Sequence, residues 1–520
     1  MTSKTIIAAA YVNNSSFPRI LRSVFSQQLS ILSPSLLSAS SSPSSSSSCI
    51  AKKNANPVIY HFGYSPHDLL SQFHSSVKLT IKRSLKKHHR FFMYEEQSRH
   101  DGLSSAASTV TVSPTEFATL LHSNRRTSDY HYYWTSPIAD VAPQSMMSKE
   151  FHWFNQLQSD HPLEVLDPRG PSLWMGTSGS GTQCHYDVAD NVIVQLYGKK
   201  RIRIYPPSVG VYNLHVFPDA HPKARKSQVD FDSYNNISNG SSIHRNNITF
   251  VDDGRNIQQR FPHFASVPNP SMDVVLQPGD ALRIPAFWFH HVENGYVPQS
   301  YDSDDSTIRT VEASVGCEHD GFDDNHQPSV SLNRFALSES MMIARRIFQS
   351  ASRPLGRKQS QSGLSPNNVE LDDGKLEFAS SLLRALGIAL IRGLNFVNVD
   401  EEKQFISTYL MEARYSPLRA DTTATHQMEE KSNSNKPCPP PLTSEHQQMV
   451  SLCIERILPD FHLLGIGGKE DGVQHECRDD SSSTDDGKGI QLLVALHLLE
   501  LWAVELVGPK LVAKAWNRAL

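Results

Sequence analysis

Gly181-Thr-Gln-Cys-His185-Tyr-Asp187-Val-Ala-Asp-Asn191-Val-Ile-Val-Gln-Leu-Tyr-Gly-Lys-Lys200-Arg-Ile-Arg-Ile-Tyr-Pro-Pro207 is dense in β-branched and aromatic residues and broken at Tyr197-Gly198. That composition predicts two strands joined by a turn. His185 and Asp187 are two residues apart, so on a strand both side chains leave the same face, which is how a sheet offers two metal ligands together. A His-x-Asp alone is weak evidence. A second block follows about 100 residues later, Gln277-Pro-Gly-Asp-Ala-Leu-Arg-Ile-Pro-Ala-Phe-Trp-Phe-His290-His-Val-Glu-Asn294. Pro278-Gly279-Asp280 marks a turn, Ala281 to Ile284 a short strand, Pro285 a ladder-breaking residue, and Phe287 to Val292 an apolar strand carrying His290. A third ligand can therefore arrive from a separate strand. His291-Val-Glu293 is a decoy: if His290 points inward, His291 and Glu293 face away.

Two imidazoles and one carboxylate on one face of a metal form the facial triad of non-haem Fe(II) oxygenases. Zinc fits a similar donor set. Iron with an oxo-acid co-substrate is favoured by polar residues around His185: the Thr182 hydroxyl, the Asn191 amide, and Lys200 on the next strand. A chelating oxo-acid needs a cation for its distal carboxylate, and a buried lysine is costly without such a partner. The alternative for Lys200 is an exposed hairpin residue.

His185-Tyr-Asp-Val-Ala-Asp-Asn191, Gly198-Lys-Lys-Arg201 and Gly279-Asp-Ala-Leu-Arg-Ile-Pro-Ala-Phe-Trp-Phe-His290 resemble the JmjC/cupin-type 2-oxoglutarate oxygenases, and most the wybutosine-synthesizing protein 5 branch, whose members act on tRNA. The resemblance implies His185, Asp187 and His290 as iron ligands, Thr182 and Lys200 on 2-oxoglutarate, and Asn191 near it. Such enzymes often carry an Asn on the strand after the distal His, where this chain has Val311-Glu-Ala-Ser-Val-Gly316. A tyrosine from an aromatic strand such as Tyr130-His-Tyr-Tyr-Trp134 often touches the co-substrate in these relatives. Tyr132 is the candidate taken here, with Tyr133 or ordinary core as alternatives.

The chain has 520 residues and a formal net charge of -4, which gives no global nucleic-acid signature. Six scattered cysteines without a Cys-x-x-Cys spacing argue against a zinc ribbon or a disulfide framework. Cys184 is expected to face away from His185 as a packing residue. Met1 to Lys53 is Ser-rich, mildly basic and free of acids, which fits a transit peptide or a disordered terminus equally. The protein is expected in the cytoplasm or an organelle and not secreted. No uninterrupted run of about 20 apolar residues occurs, so no membrane span is expected.

Val77 to Lys82 alternates as an edge-type strand with one wet face. Around it gather Lys78, Lys82, Arg83, Lys86, Lys87 and Arg90, the densest basic patch in the chain. It is either a phosphate-binding surface for tRNA or a strand edge protected by lysines. Ser113-Pro-Thr-Glu116 caps a helix.

The pattern of short strands, turns and paired ligand strands predicts a mainly β fold with helices, a double-stranded β-helix or jelly roll of cupin/JmjC type. The boundaries expected are an unstructured or transit-like 1–55, a catalytic domain over 56–335 with a flexible insertion at 235–247, and a helical C-terminal region over 336–520. Linkers are expected at 350–368, 422–443 and 469–487. The apolar helix Gln491 to Val507 either packs on its neighbours or, as the resemblance implies, forms a homodimer. The resemblance further implies hydroxylation with Fe(II), 2-oxoglutarate and O2, with a wybutosine-type guanosine of tRNA-Phe as substrate. A protein asparaginyl, histidyl or lysyl hydroxylase and a non-catalytic metal-binding cupin are the alternatives.

Overall fold

Among the described residues, twelve segments form strands, β1 (Arg19–Leu21), β2 (Leu79–Leu85), β3 (Ala107–Val112), β4 (Tyr130–Pro137), β5 (Ser172–Gly176), β6 (Gly181–Tyr186), β7 (Asp190–Tyr197), β8 (Lys200–Tyr205), β9 (Met272–Leu276), β10 (Ala281–Ile284), β11 (Phe289–Asn294) and β12 (Ser329–Ala336). The computed structural model describes residues 19–21, 65–85, 107–122, 128–143, 170–221, 223–229, 231, 260–267, 269–295, 327–356, 373–396, 402–415, 441–465 and 481–520. Two antiparallel sheets result. The larger runs β1-β10-β7-β12-β5-β4-β2-β3 and the smaller β6-β11-β8-β9.

Strand alternation gives each sheet an inner and an outer face. Ile193, Leu282 and Ile284 of the large sheet meet Ile202, Ile204, Val274, Leu276 and Val292 of the small one in an interior core. On the outer face of the large sheet, Leu79, Ile81, Trp134 and Leu332 pack with Leu69, Leu70, Phe117 and Leu121 of the helices Pro66–Ser71 and Pro114–His122. The second helix is capped as expected, the Glu116 amide donating to Ser113 Oγ at 3.2 Å. The outer face of the small sheet carries Cys184, Tyr186 and Phe289 into a third core shared with the C-terminal helices. This is the jelly-roll architecture of the cupins with a C-terminal helical region. The hairpin between β7 and β8 turns at Gly198, whose φ of +65° and a would-be Cβ only 2.0 Å from Pro328 O exclude other residues.

Several boundaries differ from expectation. β2 is an interior strand between β4 and β3, because the small and β-branched residues of β3 cover the edge it was expected to leave. Arg19–Leu21 pairs with β10, within the stretch expected to lack structure; the remainder of 1–55 and the insertion 235–247 lie outside the described residues. The helix Glu339–Gly356 runs past Ser350, where a linker was expected. The helix Ser481–Val507 starts inside the expected 469–487 linker. Its beginning is anchored: Ser208 donates to Asp486 at 3.4 Å, and Gly489 lies so close that a Cβ would meet Ser208 N at 2.3 Å.

That last helix is long and apolar enough to cross a membrane over Asp486–Val507, but 72% of its most apolar window is buried within the chain. Leu496, Leu499 and Trp502 all point into the core. A charged cluster fastens it to the β domain. Arg414, wholly buried, donates to Glu500 Oε2 at 2.8 Å, and the same oxygen accepts the Asp219 amide at 2.8 Å. Asp219 in turn meets His497 at 2.5 Å. Removing one partner strands the other charge away from water. Glu500→Ala should therefore lower the unfolding free energy by about 3–5 kcal/mol in urea titration. A loss below about 1 kcal/mol, the worth of an ordinary hydrogen bond, would show that the helices dock without this pair.

Candidate metal and co-substrate site

β6 and β11 pair with His185 directly opposite His290. The two imidazole rings are 4.2 Å apart. Asp187, one residue beyond β6, brings Oδ1 to 3.9 Å from His185 Nε2 and Oδ2 to 3.7 Å from His290 Nε2. The three donor atoms lie within 4.8 Å of one another. Each histidine has Nδ1 against a carbonyl, His185 on Gln183 O at 2.9 Å and His290 on Trp288 O at 3.2 Å. With Nδ1 carrying the proton, both Nε2 lone pairs face the carboxylate, the tautomer a metal requires. Burial, and after it the neighbouring His290 ring, push His185 down to about 3, so it is neutral at physiological pH. The donor set fits a divalent first-row metal.

β11 is held in place by its approach. Phe287 adopts φ +68°, a region that bulky residues rarely occupy, and its amide donates to Asp187 O at 2.7 Å. Asp190 fixes the same turn from β7, accepting Arg283 at 2.7 Å and the Ala286 amide at 2.9 Å. The strained turn thus ties the segment bearing the Asp187 carboxylate to the strand of His290.

Thr182 and His185 are three residues apart, so strict alternation would put them on opposite faces. A register shift between His290 and Val292 sets Val292 opposite Thr182, and this bulge turns Thr182 inward as well. Its hydroxyl lies 3.4 Å from Tyr133 Oη. Tyr132, the expected contact, is instead on the outer face of β4, in the core with Leu79, Phe117 and Trp134. The physical reason is the two-residue period of the strand, which aims neighbouring tyrosines oppositely.

Lys200 points inward from β8 and is only 6% exposed. Its Nζ donates to Ser331 Oγ on β12 at 2.5 Å, bridging the two sheets. Ser331 lies 3.4 Å from Asn333 Oδ1, and Asn333 donates to Asn191 Oδ1 at 3.4 Å. Ser331 and Asn333 were missed in the sequence. The Asn expected after the distal histidine was sought at Val311 to Gly316, which lies outside the described residues. β12, which carries it, follows a long connection that no local signal spans. Burial alone pulls Lys200 down to about 7, and no carboxylate pairs with it among the described residues.

Cys184 is fully buried on the outer face of β6, its thiol pushed up by burial, as a packing residue. His291 and Glu293 likewise face outward, His291 stacked on Phe231 with centroids 5.1 Å apart and Glu293 paired with Arg203 at 2.9 Å. Of the basic patch, Lys78 is exposed, Arg83 donates to Ser108 at 2.9 Å, and Lys82 lies on the inward face opposite Tyr133; Lys86, Lys87 and Arg90 are outside the described residues.

Residues 63–315 match the cupin-like domain family. Over this stretch the chain is similar to cupin-like domains. JmjC domain-containing protein F of Dictyostelium discoideum is 30% identical over 159 residues, 30% of this chain and 31% of that protein. The lysine-specific demethylase JMJ31 of Arabidopsis thaliana is 26% identical over 138 residues, 26% of this chain and 21% of that protein. tRNA wybutosine-synthesizing protein 5 of Danio rerio is 32% identical over 149 residues, 28% of this chain and 33% of that protein. In each case the alignment spans a third or less of the relative's length.

Lys200 makes stability depend on pH. Its folded value near 7 lies below the ordinary 10.5, so between those limits the unfolded chain binds more protons and stability rises with pH. Each unit is worth about 1.4 kcal/mol for a single group. In urea titrations from pH 7 to 9, Lys200→Met should gain on the wild type as pH falls. Parallel curves would show that the buried ammonium is not under strain.

Proposed function

We propose that this chain is an Fe(II)- and 2-oxoglutarate-dependent hydroxylase whose substrate is the wybutosine-type guanosine of tRNA-Phe. The observation that carries the oxygenase reading is Lys200, a buried ammonium without a carboxylate partner among the described residues, in the same interior as the His185, Asp187 and His290 triad. A cation so placed matches the distal carboxylate of a small dicarboxylate held at a metal. Bound Fe(II) with 2-oxoglutarate and O2 would supply the oxidation, in which the oxo-acid loses CO2 and takes one oxygen atom to become succinate while the other oxygen atom enters a substrate C–H bond.

The chain's own residues bind and orient. His185, Asp187 and His290 would hold the metal through their three converging donor atoms. Lys200, held by Ser331, receives the distal carboxylate, with the Thr182 and Tyr133 hydroxyls offering further hydrogen bonds. The Asn191 and Asn333 amides hold each other in position beside this chain of donors. The apolar interior of Ile193, Ile204, Leu282 and Trp288 keeps bulk water from the site.

The tRNA substrate is supported by the 32% identity to the Danio rerio wybutosine protein. The relation to a lysine-specific demethylase favours a protein side chain as the second reading. Nucleoside mass spectrometry of wybutosine-containing tRNA-Phe, incubated with the protein, Fe(II), 2-oxoglutarate and O2, decides between them. The expected result is a gain of one oxygen on the hypermodified base, lost in His185→Ala. Lys200→Ala should raise the KM for 2-oxoglutarate about 10- to 100-fold, as expected for a lost charge-assisted hydrogen bond. Succinate without a changed nucleoside would move the substrate to proteins, and no succinate at all would sink the oxygenase.

A further inference from the structure

Lys200 reaches across to a row of side chains on the large sheet. Ser331 of β12, which accepts from its ammonium, pairs with Gln195 of β7 on one side and with Trp174 of β5 on the other, and Trp174 pairs in turn with Thr135 of β4. Leu173 and Met175 are committed to the outer core, so alternation turns Trp174 to the inner face. Cross-strand partners on one face hold their Cβ atoms about 4.5–5.5 Å apart, which puts the indole beside the Ser331 hydroxyl. Ser331 is fully buried, Trp174 half-buried and Thr135 exposed. The indole therefore stands at the edge of the enclosed space around Lys200.

Its polar atom is unsatisfied. Trp174 Nε1 is closed off from solvent and has no hydrogen-bond partner among the described residues. An indole N–H can only donate, so what it lacks is an acceptor. Buried donors left in this state are uncommon, because nothing replaces the water they lose. Tyr133 packs edge-on against the ring, with centroids 5.9 Å apart, and its hydroxyl lies 3.4 Å from Thr182 Oγ1. Gly176 leaves room for this: a Cβ there would come within 3.0 Å of Tyr133 Cδ2 and 2.6 Å of Asn294 Nδ2. On the opposite flank, Gln195 Nε2 donates to Tyr197 O at 2.6 Å and Ser329 Oγ at 3.0 Å, which leaves Gln195 Oε1 without a donor. The row is thus uneven, with a carbonyl oxygen towards β7 and an N–H and hydroxyls towards β5 and β4.

We infer that Trp174 is a specificity-determining residue of the co-substrate site, whose indole N–H donates to the same distal carboxylate that Lys200 receives. This rests on the co-substrate reading above and adds a residue that neither the metal motif nor the resemblance singles out. A carboxylate accepts at two oxygens and donates at none, so Lys200 can bind it and still leave lone pairs for the indole. The row meets a single cation, Lys200, which matches the one charge of a carboxylate rather than the two of a phosphate. Gln195 Oε1 repels an oxygen anion, so the carboxylate turns towards Trp174, Tyr133 and Thr182.

The test is isothermal titration of 2-oxoglutarate, and of 2-oxovalerate, into the full-length protein loaded with Co(II). 2-Oxovalerate ends in a methyl group where 2-oxoglutarate has its distal carboxylate. Trp174→Phe, which keeps an aromatic ring against Tyr133 and removes the N–H, should weaken 2-oxoglutarate about 10- to 100-fold, the worth of a hydrogen bond to a charged group. Binding of 2-oxovalerate should stay within about twofold, which also shows that the variant is folded. Equal loss of both acids would mean that the indole only packs the wall, and overturns the assignment. If Lys200→Ala abolishes the preference for 2-oxoglutarate while Trp174→Phe keeps it, the indole is wrong and the co-substrate reading stands. If the wild type binds 2-oxoglutarate no more tightly than 2-oxovalerate, both fall.

Discussion

The antiparallel register of β6 and β11, which sets His185 opposite His290, is the constraint on which the site depends. A slip of one residue would turn both histidines outward and bring Cys184 and His291 in. That slip is opposed from both sides of the sheet. On the outer face, Cys184, Tyr186 and Phe289 are committed to the large core with the C-terminal helices. On the inner face, Val292 is committed to the interior core. The strained Phe287 then joins the two strands through the backbone of Asp187, and Asp190 holds that turn with a buried ion pair to Arg283. Strain of this kind persists only where surrounding contacts over-determine it.

The helical layer acts on the site through the segment 214–229. His215 lies 3.0 Å from Ala413 O, and Gln228 donates to Arg414 O at 2.8 Å, so the loop that borders β6 is bonded to the C-terminal helices by backbone and side chain. Asp219 in the same loop joins the buried Arg414 and Glu500 pair. Buried ion pairs contribute little net stability over apolar packing, but they penalise any arrangement that separates the partners. The cluster therefore specifies where the helices sit, and with them the turn bearing Lys223 to Lys226.

Much of the candidate metal site was legible in the sequence because its residues lie in local patterns. His185 and Asp187 share one strand by spacing, His290 follows a turn that Pro278-Gly279 announces, and Lys200 follows Gly198 in a two-strand hairpin. What was not legible depends on long-range register. Tyr132 and Tyr133 differ by one residue, and only the pairing of β4 with β2 and β5 says which one faces inward. Ser331 and Asn333 belong to a strand that the chain reaches after a long connection, so nothing near His290 predicts their arrival. The bulge that turns Thr182 inward leaves no composition signal either; the resemblance names Thr182 as a contact of 2-oxoglutarate, and the structure places it on the inner face beside Tyr133. Arg414 and Glu500 read as ordinary charges on amphipathic helices until tertiary packing buries them.

Lys200 is a cation kept where water solvates it poorly, its value pulled down by burial alone. Its Nζ meets the Ser331 hydroxyl, which leads on to the Asn333 and Asn191 amides, so the wall around it satisfies a hydrogen bond but supplies no countercharge among the described residues. The ammonium form is therefore retained at a cost to the fold, and that cost falls as the group loses its proton.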